Sequence, residues 1–309
     1  MPIRSTSWES LPAANFIRAV AVVMIVCGHL GVINYGGGGA LTLMLLAGFT
    51  YAKYLFPKLM ERPVANERHL FLMLKIAIPK VIYQLVQSAM PGRPINWSAL
   101  AFHSNLIQVN NHAAWFVEAY LQINLVLFLL AQNKRVAYWL TCLRKFGVAL
   151  CFAVVCILLC TLAGIFWDTA ALLDRVPYRI FWLFACGILL ASCINIKQRL
   201  VFSLLTVAGS FIWGGAAPIF LIVCAIALGL FEQVRLPTRI VPTVNAVSAA
   251  SLLVYLTHYW WIKAFTAVLP STHPVILVVI GIAGGVVLQI FYNRLWKAVR
   301  DRVSLRLAK

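Results

Sequence analysis

Apolar stretches long enough to cross a bilayer recur along almost the whole chain, each separated from the next by a short polar or basic loop. Ten can be marked, with approximate limits 15–33, 39–56, 70–89, 114–131, 147–167, 177–194, 200–214, 216–231, 246–268 and 275–293. A membrane helix takes about 20 mainly apolar residues, whereas a membrane barrel is written in short alternating strands. Only 11% of the 309 residues are charged, against about 25% in a soluble domain. The expected fold is therefore all-α: a polytopic membrane bundle of about ten transmembrane helices, forming one domain over residues 1–309.

The formal net charge of +18 invites a nucleic-acid reading, but the placement of the charges opposes it. Lys53, Lys58, Arg62, Arg68, Lys134, Arg135, Arg144, Lys145, Lys197, Arg199, Arg235, Arg239 and the basic tail from Arg294 to Lys309 fall in alternate loops. That asymmetry is the positive-inside pattern. It puts both termini in the cytoplasm and makes the lipid bilayer, not nucleic acid, the partner of the charge. Residues 1–10 are short and polar, so no cleavable leader is expected. The eight cysteines include no CxxC pair; Cys156 and Cys160 share a helix face without His or carboxylate nearby, so no metal site is expected.

The first apolar stretch carries Arg18 and His29. Eleven residues of α-helix make three turns plus about 20°, so the two side chains share a face roughly 16 Å apart. Arg18 is placed at the cytoplasmic mouth and His29 near the middle of the span. Titratable groups at such depth are costly and usually face a polar path. The third stretch adds Lys75, Pro79, Lys80, Gln84 and Gln87, of which Lys80, Gln84 and Gln87 form one polar stripe. The stripe suits either glue between helices or an anionic, phosphate-bearing ligand. In the fourth, Glu118 shares a face with Trp115 and Gln122 and needs a partner, for which Lys80, Arg179 and His29 all qualify.

Other features read more plainly. The glycine run 36–39 is a flexible hairpin turn. The loop 90–113, with Trp97, His103, Asn105, Asn110, Asn111 and His112, is a solvated outer loop with the chemistry to meet a sugar. Asp168, Asp174, Arg175 and Arg179 form a local salt-bridge network. His258, beside Tyr259, Trp260 and Trp261, reads as a wet histidine in an interfacial aromatic belt with no catalytic role.

Several of these motifs occur in a familiar order. Arg18 and His29 are spaced as Arg-(ten residues)-His; a glycine-rich turn leads into Met44-Leu-Leu-Ala-Gly-Phe49; Ala114-Trp-Phe-Val-Glu-Ala-Tyr120 opens the fourth stretch; Leu253-Val-Tyr-Leu-Thr-His258 lies near the end. Over residues 13–295 the chain resembles the acyltransferase-3 family of integral-membrane acyltransferases. Ala47 stands where the family pattern has serine, and Lys75 only approximates its paired-arginine motif. The resemblance implies a ten-helix bundle of a bacterial inner membrane that moves an acyl group, commonly acetyl, from cytoplasmic acyl-CoA to a hydroxyl of an envelope carbohydrate or lipid-linked glycan. It implies His29 as catalytic histidine and Arg18 as its partner.

The residues accommodate that chemistry. Imidazole is the side chain that titrates near neutrality, so His29 is the candidate general base for deprotonating the acceptor hydroxyl; direct transfer and a transient acyl-histidine both stay open. Arg18, Lys75 and Lys80 are the candidates for the CoA phosphates. Glu118 either orients His29 or pairs with a lysine. The competing expectation is a proton-coupled transporter that uses intramembrane His, Glu and Lys, although the sequence shows no duplicated halves of the kind such folds carry.

Overall fold

The computed structural model describes residues 7–33, 38–57, 65–89, 95–107, 115–167, 175–212 and 219–307. Gly36, Gly37, Asn110, Asn111, His112, Asp168 and Asp174 lie outside them.

The architecture is all-α with one short ribbon. Strand β1 (Trp8–Pro12) leads into α1 (Ala13–His29) and α2 (Gly38–Thr50), which passes into a π-helical turn at Tyr51–Leu55. Then come α3 (Ala65–Ser88), the single turns α4 (Trp97–Leu100) and α5 (Ser104–Ile107), α6 (Trp115–Leu130), α7 (Lys134–Cys142), α8 (Phe146–Phe166), α9 (Pro177–Ser192), α10 (Ile196–Ile212) and α11 (Ile219–Leu230). Strand β2 (Gln233–Pro237) precedes α12 (Val241–Ala249), α13 (Ser251–Val268) and α14 (Pro274–Leu307). The described residues of the ten apolar stretches are mainly helical. Among the described residues, His69–Ser88, Phe146–Phe166 and Pro274–Ala298 are long and apolar enough to cross a membrane, with α6 and α7 a sharply bent fourth candidate.

The ribbon was not expected. β1 and β2 pair antiparallel, from Trp8 opposite Pro237 to Pro12 opposite Gln233, and Ala13 N–H donates to Glu232 C=O at 2.8 Å. Five-residue strands that each end in proline leave no alternating pattern to read. The ribbon fixes where α1 starts relative to the α11–α12 connection.

At the centre, α9 is the most enclosed helix: Ile180, Leu183, Phe184, Ala185, Cys186 and Leu189 have no exposed surface. Its neighbour α2 buries Met44, Leu45 and Leu46 completely. Backbone meets backbone here, because a methyl group on Gly48 would strike the Phe184 carbonyl and one on Gly187 the Leu45 carbonyl. Small residues that permit such approach are the usual device of helix contacts in membranes. Gly48→Val is therefore expected to cost about 1–3 kcal/mol or more by overpacking, measured as a lower midpoint of thermal unfolding in detergent. An unchanged midpoint would mean α2 and α9 sit further apart than this.

Two departures bear on the site. The stretch 15–33 yields a shorter helix, which ends at His29 with Leu30 as its cap and Gly31 at φ +67°. The stretch 246–268 is two helices broken at Ala250. Arg18 lies opposite residues 248–252 and His29 opposite His258, so α1 runs alongside α12 and the first half of α13 and then stops.

Candidate functional site

The end of α1 meets the middle of α13 through two histidines. His29 Nδ1 and His258 Nε2 are 2.8 Å apart, with the rings stacked at 5.0 Å and 10°. The other nitrogen of His258, Nδ1, lies 2.9 Å from the Val254 carbonyl oxygen one turn back. A carbonyl only accepts, so His258 Nδ1 carries the hydrogen. In the neutral ring His258 Nε2 is then the acceptor, and His29 Nδ1 must donate to it. The lone pair of neutral His29 is thereby left on Nε2. His258 is fully buried, whereas His29, at the helix end, is exposed. The helix backbone thus sets the tautomer of a buried imidazole, which sets that of an exposed one.

This corrects the sequence reading of His258. The aromatic run that suggested an interfacial belt packs inward instead: Tyr259 stacks on His29 at 5.1 Å, Trp260 stacks on Tyr83 at 4.7 Å, and the Trp261 ring lies against Gly284. His258 is the eighth residue of an 18-residue helix, facing α1 rather than a wet boundary. His29 is corrected as well: it closes a helix instead of sitting within one, although beside the middle of α13.

Three turns back along α1, Arg18 donates to Thr50 Oγ1 at 2.6 Å, and Thr50 passes its own hydrogen to the Leu46 carbonyl at 2.7 Å. Arg18 and Thr50 border two cavities. One, of about 310 Å³, lies toward the start of α1 and is lined also by Asn15, Lys53, Tyr54, Arg199 and Glu232. The other, of about 250 Å³, is lined also by Phe116, Tyr120, Ser248, Ser251 and Tyr255. Tyr255 is one turn before His258 on α13, so the second cavity reaches along the helix that carries the histidine pair.

Lys53, in the first cavity, is a candidate that sequence reasoning missed. It is exposed and lies over the Phe49 and Tyr54 rings at 5.4 and 5.8 Å. Its place in the π-helical turn after α2 is invisible to a 3.6-residue period. Arg199, also in that lining, is already used. It donates to Glu232 Oε1 at 2.8 Å and to the carbonyls of Leu228, Gly229 and Phe231, which neutralises the open C-terminal end of α11.

Lys75 and Lys80 line neither cavity. Lys75 is half-buried, its carbonyl accepting from Tyr292 Oη at 2.8 Å. Lys80 Nζ lies 2.8 Å from Glu118 Oε1, both side chains fully buried, and 4.4 Å from the centre of the Phe102 ring. Ser104 Oγ donates to Glu118 at 2.8 Å and Asn105 N–H at 2.9 Å. Gln122 donates to the Phe102 carbonyl and to Asn105 Oδ1. Lys80 is thus spent on Glu118 and is not available to a phosphate, and Glu118 does not orient His29, whose Nδ1 partner is His258. Of the partners the sequence left open for Glu118, burial chose Lys80. The pair straps α4 and α5, part of the loop read as solvated, onto α3 and α6.

Arg179 and Arg175 are held locally. Arg179 donates to the Cys160 carbonyl at 2.7 Å, and Arg175 lies 5.5 Å from the Trp115 ring. No group of three or more His, Cys, Asp or Glu with metal-binding geometry occurs among the described residues. Comparison of the chain with known protein families, with characterised proteins and with solved structures finds no match in any of them.

Proposed function

We propose that this chain is a membrane-embedded O-acyltransferase of the acyltransferase-3 type, moving an acyl group, acetyl in the first instance, from acyl-CoA to a hydroxyl. The observation that carries this reading is the hydrogen-bonded series from Val254 C=O through His258 to His29. It leaves His29 Nε2 as an unprotonated nitrogen on an exposed ring, which is what a general base requires. In the proposed step His29 Nε2 takes the proton of the acceptor hydroxyl as its oxygen attacks the thioester carbon. The tetrahedral intermediate then expels the CoA thiolate, which recovers that proton from His29. The imidazolium formed in between keeps its Nδ1–H on His258 Nε2, a neutral acceptor that stabilises the charge.

In this reading the chain spans the inner membrane of a bacterium about ten times with both termini in the cytoplasm, and the acceptor is an envelope carbohydrate or lipid-linked glycan. Arg18 and Lys53 border the cavity for the anionic end of the donor. The roughly 16 Å from Arg18 to His29 is a distance an extended pantetheine arm covers. The reading is tested with purified protein and labelled acetyl-CoA, with and without envelope extract. Label should pass to a component of the extract; no thioester consumption in either case overturns it.

The donor site gives a sharper expectation. Arg18→Ala should weaken acyl-CoA binding by about 1.5–3 kcal/mol, the range for hydrogen bonds to charged groups, and leave a short acyl-pantetheine without the nucleotide unaffected. Equal losses for both ligands in a titration would place Arg18 in the scaffold instead, through its bond to Thr50.

A further inference from the structure

We propose that α7 is a surface-lying anchor that binds the headgroups of anionic phospholipids, an inference that rests on the membrane reading above. Between α6 and α8 the chain does not turn directly. Its axis bends by 118° from α6 into α7, with Asn133 Oδ1 accepting the backbone N–H of Arg135 to start the new helix. Helix α7 therefore runs across the end of α6 rather than along it. It ends at Cys142, and Leu143-Arg144-Lys145 lead straight into α8.

The two sides of α7 differ in kind. Leu140 and Leu143 are buried against the bundle, whereas Lys134, Arg135, Arg144 and Lys145 are exposed, as are Tyr138 at 70% and Trp139 at 47%. Lys134 and Tyr138 are one turn apart and share the outer side with Arg135, while Trp139, one turn after Arg135, borders it with its ring edge-on to Phe152 of α8 at 5.9 Å. Residues 134–145 include four basic side chains and no acidic one. Tyr and Trp concentrate at the boundary between hydrocarbon and water, and basic residues next to a membrane helix are drawn to anionic headgroups. A helix lying across the spans, with that composition and its apolar side already seated on protein, presents its charge to the headgroup layer.

The experiment measures the association of spin-labelled phosphatidylglycerol and phosphatidylcholine with the reconstituted full chain by electron paramagnetic resonance at low salt. Wild type should prefer the anionic lipid, and the variant Lys134→Gln/Arg135→Gln/Arg144→Gln/Lys145→Gln should lose most of that preference, at about fivefold in affinity per residue near the surface. Arg135→Lys, which keeps the charge, should keep it. Neutralising Lys197, Arg235 and Arg239 instead should change it little. The proposal is overturned if wild type shows no preference, if the quadruple variant keeps it, or if the distant triple variant removes it equally. Inorganic phosphate added in place of the anionic lipid should not compete; full competition would also overturn it. Absence of any immobilised boundary lipid would instead sink the membrane reading itself.

Discussion

His29→Gln is expected to lower acyl transfer by about 10²–10⁴-fold, the usual contribution of general-base catalysis, without loss of acyl-CoA binding. Glutamine keeps a hydrogen-bonding group of similar reach but has no titratable nitrogen. His29 ends α1 and is exposed, so the substitution leaves no cavity in the core. Wild-type turnover should also fall once the pH is low enough to protonate the ring, because only the neutral form takes up a proton. His258 supplies the companion test. His258→Phe keeps an aromatic ring against His29 and Tyr259 but removes the acceptor that fixes the His29 tautomer, and should lower turnover with little effect on donor affinity. His258→Gln restores an acceptor and should recover part of the loss. If His258→Phe left both turnover and its pH profile unchanged, the bond at 2.8 Å would have no part in the reaction.

Glu118→Ala should destabilise the fold by about 3–5 kcal/mol, the range for stranding one partner of a buried ion pair. Lys80 and Glu118 are both without exposed surface, so the lysine left behind cannot reach water. Ser104 Oγ and Asn105 N–H lose their acceptor at the same time. The paired replacement Lys80→Met/Glu118→Leu removes both charges and is expected to recover much of the loss, since apolar residues of similar volume often replace such pairs at little cost. Recovery should stay incomplete, because the Ser104 and Asn105 donors remain unsatisfied. Thermal unfolding of Lys80→Met, Glu118→Leu and the double variant in detergent measures the coupling directly. A Glu118→Ala protein as stable as wild type would mean that water reaches Lys80.

The sequence by itself determined the helices, because their signal is local. A run of apolar residues and the basic loops around it are properties of adjacent positions, and the described part of each stretch is mainly helical. The shared face of Arg18 and His29 followed from helical rise and turn alone. What depended on contacts between distant segments was out of reach. The β1–β2 ribbon joins residues more than 220 positions apart. The partner of Glu118 had three candidates until packing placed Lys80 beside it. Aromatic residues around His258 are equally compatible with a membrane boundary and with the inner face of a bundle, and composition does not distinguish them. Only the tertiary structure, by stopping α1 at His29 and running α13 past it, put His258 Nε2 within bonding distance of His29. The physical reason is that a helix period fixes which side of its own axis a residue occupies, while its neighbour across the gap depends on where each helix starts, ends and crosses the others.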